Sequence, residues 1–408
     1  MDMAASYSPT DPDVLAHPYP YYAALRKGPA ARYIEIDDLW VISRFEDVGT
    51  ALRDPATFSS KALWALFGGM VSAREGVRPN VREFAATQPR SLIALDPPDH
   101  IPMRRLAAKM FTKRAVDGYA RTIRSICHEL VDDLLDHRDG GEVDLVAQFH
   151  HPLPVRVIAE ILGIPIERRR DFKRWSDILI NRLSGRGDSP QEKADLKRMM
   201  EYFDAIIKER RAHRSDDLIS LIISGNESAG EFLTGWDLFN FCALLLSAGN
   251  ETTTNLLGNL FNAFFLNPDQ FEKARRAPDL APVVEEILRY ESTVQAVVRL
   301  TNSAITVGEC TIPADAIVLL LTGSANRDET RWVAPDRFDI EREPLPHFGF
   351  GTGIHHCLGA ALARLETEIA TDVLRSRTSL IEPAGQAARS ANIILRGFSS
   401  MPASVKPA

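Results

Sequence analysis

Little in this 408-residue chain points to a membrane, a nucleic acid or an oxidising compartment. No run of 18 apolar residues occurs, so no transmembrane helix is expected. The opening residues, Met1 to Pro9, have neither a basic start nor an apolar stretch, and do not read as a signal peptide. The four cysteines (Cys127, Cys242, Cys310 and Cys357) are scattered, with no Cys-x-x-Cys or His-x-x-x-His pair. That argues against a disulfide framework and against the usual paired zinc patterns, and leads us to expect a reducing cytoplasm. A net charge of -7 argues against a nucleic-acid binder. Repeats, low-complexity segments and convincing linkers are lacking as well. With 45% hydrophobic and 25% charged residues, the chain reads as one globular domain over 1–408, with 1–15 as a flexible lead.

What is present in strength is the stretch Phe350-Gly351-Thr352-Gly353-Ile354-His355-His356-Cys357-Leu358-Gly359. Two glycines one residue apart let a backbone bend where a side chain would collide. A helical stripe follows, from Leu358 to about Arg375, with Ala361, Leu362, Leu365, Ile369 and Val373 on one face. Cys357 thus lies at a helix N-terminus, where free N–H groups and the helix dipole favour a thiolate. A thiolate offered from a glycine-opened loop suits the axial position of a haem iron. Two other readings stand beside it: a structural cysteine near a turn, and a zinc site built from His347, His355, His356 and Cys357. The spacing Phe-Gly-x-Gly-x-His-x-Cys-x-Gly resembles the haem-binding signature of the cytochrome P450 family. The resemblance implies haem b, with Cys357 as the metal ligand and Phe350 and Gly351 beside the cofactor.

A second segment agrees. Gly235 to about Leu266 is apolar almost all round and reads as a long buried helix, with Thr234 and Asp237 forming its cap. Its middle, Ser247-Ala248-Gly249-Asn250-Glu251-Thr252-Thr253-Thr254, breaks that pattern. Such polarity is either a buried hydrogen-bonded network with a kink, or an acid and an alcohol set beside a small residue for chemistry. Thr252 can reach back to the carbonyl of Ala248. Ala-Gly-x-Glu-Thr resembles the oxygen-activation motif of the same family. That implies Thr252 as hydrogen-bond donor to bound dioxygen and Glu251 as proton relay, with Ala248 and Gly249 against the haem.

Further family patterns follow the charges. His100 and Arg104 share a helix face after Asp96-Pro97-Pro98. With Arg299 and His355 they match the family's propionate ligands, although a solvated His–Arg pair is the default for that spacing alone. Glu286 and Arg289 form a Glu-x-x-Arg pair in an apolar setting, and in the family its partner is the arginine of Pro335-Asp336-Arg337-Phe338. These three are expected to be structural. Ala325-Asn326-Arg327-Asp328 also matches, while Thr293 departs from the usual proline.

Elsewhere, proline spacing predicts an extended lead followed by a short helix from Tyr21 to Lys27. A hairpin is expected over Arg32–Ser43, a helix over Phe45–Arg53, and helices over 116–138, 144–163, 167–183 and 190–212. Strands are expected over Val297–Thr301, Ala304–Val307, Ile317–Leu321 and Ile393–Leu395. The fold class is therefore mainly α with a minor β portion. Residues 59–90 form an irregular stretch suited to a binding loop or to an ordinary surface loop, and Ser184–Asp188 suits a hinge.

The resemblance implies a monooxygenase that hydroxylates or demethylates a small hydrophobic molecule using dioxygen. Electrons would come from a separate ferredoxin, which could dock on Arg104, Arg105, Lys109, Lys113 and Arg114. A monomer in the cytoplasm is expected. Candidate substrate contacts are Trp64, Phe67, Leu245, Ala248, Val294, Ala296, Val298 and Ile394, with Arg182 and Arg186 as carboxylate binders or solvated charges. Other classes remain: a peroxide-driven or isomerising haem-thiolate enzyme, or a haem sensor without catalysis.

Overall fold

The computed structural model describes residues 3–64, 80–109, 111–136, 142–183, 189–230 and 233–408. Phe67 and Arg186, the side chain of Arg182, residues 65–79 of the 59–90 stretch and the Ser184–Asp188 segment lie outside the described residues.

Helices dominate. In chain order those used below are α1 (Pro12–Ala16), α2 (Pro18–Lys27), α3 (Phe45–Arg53), α4 (His100–Ala108), α5 (Ala120–Asp136), α6 (Pro152–Ile161), α7 (Arg169–Leu183), α8 (Pro190–Ala212), α9 (Gly235–Leu266), α10 (Ala281–Tyr290) and α11 (Ala360–Arg377). The 32-residue α9 begins at the expected cap: Thr234 and Asp237 exchange side-chain and backbone hydrogen bonds. It runs through the largest hydrophobic cluster, where Leu246, Leu257, Leu260 and Phe261 are fully buried. Among the described residues no helix is long and apolar enough to cross a membrane.

The β portion is small. Strands β1 (Ala31–Ile34), β2 (Leu39–Ile42), β3 (Phe58–Ser59), β4 (Val297–Thr301) and β5 (Ile317–Leu320) form one sheet, in the order β1-β2-β5-β4-β3. Within it β1 and β2 make the expected hairpin, with Asp38 in the left-handed region at its turn. Strand β2 then pairs in parallel with β5, Trp40 opposite Val318. A second sheet joins Glu142–Asp144, Thr378–Pro383 and Pro402–Pro407.

Two expectations change. The lead is packed from Ala4 onward: Tyr7 is 3% exposed, Ser8 donates to Asp37 (2.6 Å), and Asp11 caps α1. Pro12 and Pro18 each occupy a first helical turn, where a missing N–H costs nothing, so they start helices instead of extending the chain. At the other end, Ile393–Leu395 makes a single bridge, Val294 to Leu395, and no strand. Asn392 caps that turn by accepting from the amides of Ile394 and Leu395, which diverts the backbone groups a strand would need.

Candidate active site

The cysteine loop is bent as its glycines require. Gly351 and Gly353 both have left-handed φ, +65° and +70°, and a Cβ on Gly353 would lie 2.6 Å from the Leu52 carbonyl at the end of α3. The Cys357 amide donates to the Phe350 carbonyl (2.9 Å), closing the turn. Phe348 anchors it from behind, stacked on Phe45 at 4.4 Å, with its amide donating to Asn326 Oδ1 (2.6 Å). This is what the Ala325–Asp328 match does physically. Helix α11 starts at Ala360, so Cys357 precedes its first turn by three residues.

That offset matters. Burial pushes the Cys357 thiol upward, although an N–H from Gly359 and the cations of Arg104 and Arg364 pull it down. Burial thus opposes the thiolate that the helix-end N–H and the two arginines favour. A coordinating metal cation would remove the thiol proton.

Around this loop a cationic cradle converges. His100 at the start of α4 is buried, and its ring meets that of His355 at 4.5 Å. The Nε2 atoms of both rings are buried without a hydrogen-bond partner among the described residues. Burial, with Arg299, His100 and Arg104, lowers the His355 pKa to about 3. Arg299, on β4, is buried, and its guanidinium donates to the neighbouring Val298 carbonyl (2.9 Å). No carboxylate pairs with it among the described residues, and burial lowers its pKa to about 10, with Asp96 only partly opposing. Arg104 ties α4 to the loop by donating to the His356 carbonyl (2.6 Å). A buried guanidinium without a carboxylate, beside a second arginine and two imidazoles with unpartnered nitrogens, fits a ligand bearing carboxylates.

Helix α9 resolves the ambiguity of its polar middle by having two faces. Asn250, Thr253 and Thr254 are buried on one side. On the other, Ala248 is exposed in mid-helix, and Gly249, Glu251 and Thr252 are half-buried. Thr252 Oγ1 donates to the Ala248 carbonyl at 2.6 Å. Cβ atoms added at Gly351 and Gly359 would meet nothing within 4 Å, and one at Gly249 only Ile158 at 3.9 Å. Open glycine faces in the cysteine loop and on α9 suit the close approach of a flat cofactor. The donor set fits haem, therefore: a lone sulfur in the loop, small residues and an alcohol on α9, and a buried arginine without a carboxylate.

The other expected residues divide. Glu286 and Arg289 form a bidentate pair, both bonds 2.8 Å, at 4% and 2% exposure. Arg337 is not its side-chain partner: it points to Asp339 (3.5 Å) and is largely exposed, lending the network only its carbonyl. The side chain of Arg342 reaches Glu286 instead (3.2 Å), because the turn after Phe338 brings position 342 back over α10. Leu245 is nearly buried and Val294 and Ile394 are half-buried. Ala296 and Val298 pack into the core beside the sheet with Leu319 and Leu321, and present little surface to a ligand. Trp64 is half-buried at the edge of the described segment. Sequence reasoning missed the Glu285 cluster behind the loop, where His347 (3.1 Å) and Arg364 hold its carboxylate and lower its pKa to about 2 against burial. The histidine just before the signature was the available cue.

Comparison with known proteins agrees with this geometry. The Cytochrome P450 family profile matches residues 276–376. Cytochrome P450 107B1 of Saccharopolyspora erythraea is 39% identical over 366 residues, covering 87% of this chain and 86% of that protein. The cyclomarin C epoxidase of Salinispora arenicola is also 39% identical, covering 85% of each. In structure, a cytochrome P450 from Chondromyces apiculatus superimposes with a TM-score of 0.86 at 37% identity, covering 98% of both chains. Sequence, fold and donor set lead to one conclusion: the chain belongs to the cytochrome P450 family, an oxidoreductase of the haem-thiolate monooxygenase class that uses haem b.

Proposed function

We propose that Cys357 is the axial thiolate, that His100, Arg104, Arg299 and His355 bind the haem propionates, and that Thr252 and Glu251 deliver protons during hydroxylation or demethylation of a hydrophobic molecule. The observation that carries this is a buried arginine, Arg299, with no carboxylate partner among the described residues, together with two unpartnered imidazole nitrogens, in a chain whose glycine loop offers a lone sulfur. When bound, haem supplies the iron at which dioxygen is activated, and a thiolate donor favours O–O cleavage. The protein's own contributions follow from its residues. Arg299 and Arg104 can grip carboxylates in bidentate fashion. The Thr252 hydroxyl, held on the Ala248 carbonyl, is oriented toward the open side of α9. Glu251, half-buried one residue earlier, bridges between that side and solvent as an acid–base group. Leu245, Ala248, Val294 and Ile394 offer a mainly apolar lining that favours an apolar substrate and excludes water.

Electrons reach the site from a ferredoxin docking behind the loop. Arg105, Lys109, Lys113 and Arg114 are exposed there, joined to the loop through Arg104 and His356. The enzyme acts as a monomer in the cytoplasm, a setting that suits four free cysteines. The reading is tested by spectra and coupling. The reduced carbonyl adduct should show the red-shifted band of thiolate ligation, and Cys357→Ala should abolish it. Thr252→Ala should divert electrons from product to peroxide, and full coupling would favour a peroxide-driven enzyme. Charge reversal at Lys109 or Arg114 should slow reduction by an acidic ferredoxin; unchanged rates would remove that face from the account.

A further inference from the structure

Asn250 is the polar residue of α9 that this chemistry leaves unused. At about 100° per residue it falls on the face opposite Ala248 and Thr252, and it is fully buried, at 0% exposure. Its carboxamide meets three elements at once. The Nδ2 group donates to Ser176 Oγ of α7 at 2.6 Å and lies 3.4 Å from Nε2 of His151, the residue that leads into α6. The Oδ1 atom accepts from Thr254 (3.3 Å), whose hydroxyl is equally close to the His150 carbonyl. His151 Nε2 is in turn 3.0 Å from Asp177 on α7, and Asp177 holds Lys173 at 3.1 Å. Of two adjacent residues of α7, Ser176 is thus fastened to α9 through Asn250, and Asp177 to His151 beside it.

We propose that Asn250 is a positioning residue: it ties the seating of α7 to the turn that carries Glu251 and Thr252. The inference rests on the proton-delivery reading of those two residues. An amide is suited to this position, since it can donate to Ser176 and accept from Thr254 simultaneously while carrying no charge into a buried site. A displaced α7 would pull on the side chain adjacent to Glu251 in sequence, and so alter where the acid and alcohol point. A single-element hydrogen bond could not do that, and an apolar residue here would leave α7 and α9 free to shift independently.

The test uses the haem-loaded enzyme with Asn250→Leu, Ser176→Ala and the double variant. Hydrogen–deuterium exchange of the 169–183 segment should rise roughly fivefold or more in each single variant, since local opening follows lost buried hydrogen bonds. Exchange at 350–359 should be unchanged. The double variant should add little, as two substitutions that break one contact do not sum. The share of reducing electrons released as hydrogen peroxide, measured with a surrogate ferredoxin system and no substrate, should rise in step, and Ser176→Thr, which keeps the hydroxyl, should restore it. Unchanged exchange, additive effects or an unmoved peroxide share would each overturn the proposal. Thr252→Ala is the control. If it leaves the peroxide share unchanged, the proton-delivery reading fails, and the anchoring of α7 is judged on exchange alone. Ser176→Ala removes one oxygen atom and keeps the test available should Asn250→Leu not fold.

Discussion

Two groups of buried charge in this molecule face opposite situations. Behind the cysteine loop, Arg289 and Arg342 share the carboxylate of Glu286, and Arg289 also donates to the carbonyls of Asn326, Pro335 and Arg337. Near α2, Glu291 sits among Arg327, Arg389 and Arg396; burial would raise its pKa, but the three arginines bring it down. Beside the cysteine loop, by contrast, the Arg299 guanidinium has no such carboxylate among the described residues, and the Nε2 atoms of the His100 and His355 imidazoles are buried without a hydrogen-bond partner there. Burying charge is costly unless it is paired. Arginines that share a buried carboxylate therefore hold the fold, whereas a buried guanidinium without one is left to meet a ligand's carboxylate. The difference separates scaffold from site without reference to any motif.

The comparison breaks first at Glu286. Glu286→Ala leaves Arg289 and Arg342 without their carboxylate and should cost about 3–5 kcal/mol of stability, measured by denaturant unfolding of the haem-free protein. Glu366 sharpens it from the other direction. It is a buried carboxyl on α11 with Oε2 unpartnered, and burial raises its pKa to about 8. Folding therefore favours its protonated form, so that stability is greatest at acidic pH and falls as pH rises from the ordinary carboxylate range toward 8. Glu366→Gln should remove that slope, leaving the variant more stable than wild type by a few kcal/mol above pH 8 and equal near pH 5. Arg299→Gln should give the smallest change. Haem-free stability should hold or improve, because an unpaired buried cation is lost, while haem escape to a scavenger should quicken by roughly 10–100-fold. If Arg299→Gln destabilised the haem-free protein as much as Glu286→Ala does, the contrast between the two groups would collapse.

How much was readable in advance varied with the range of the interaction. The bounds of α3 and α9, the β1–β2 hairpin and β4 were all legible, because caps, prolines and apolar periodicity act within a few residues. The bend at Gly351 and Gly353 and the Thr252–Ala248 bond were legible for the same reason. The packed lead was missed, since Ser8 and Asp37 meet only when distant segments fold together. So were Arg342 in place of Arg337, and the core burial of Ala296 and Val298 on the expected substrate strand.

The order of residues thus determined the helices, the glycine bend and the chemical character of the two motifs, each set by backbone sterics and near-neighbour side chains. Only the tertiary structure decided which charges stay unpaired, which face of α9 opens, and whether the cysteine proton is lost without a metal. Those outcomes depend on desolvation and on contacts across more than a hundred residues, such as Arg104 with His356, and no local pattern encodes them.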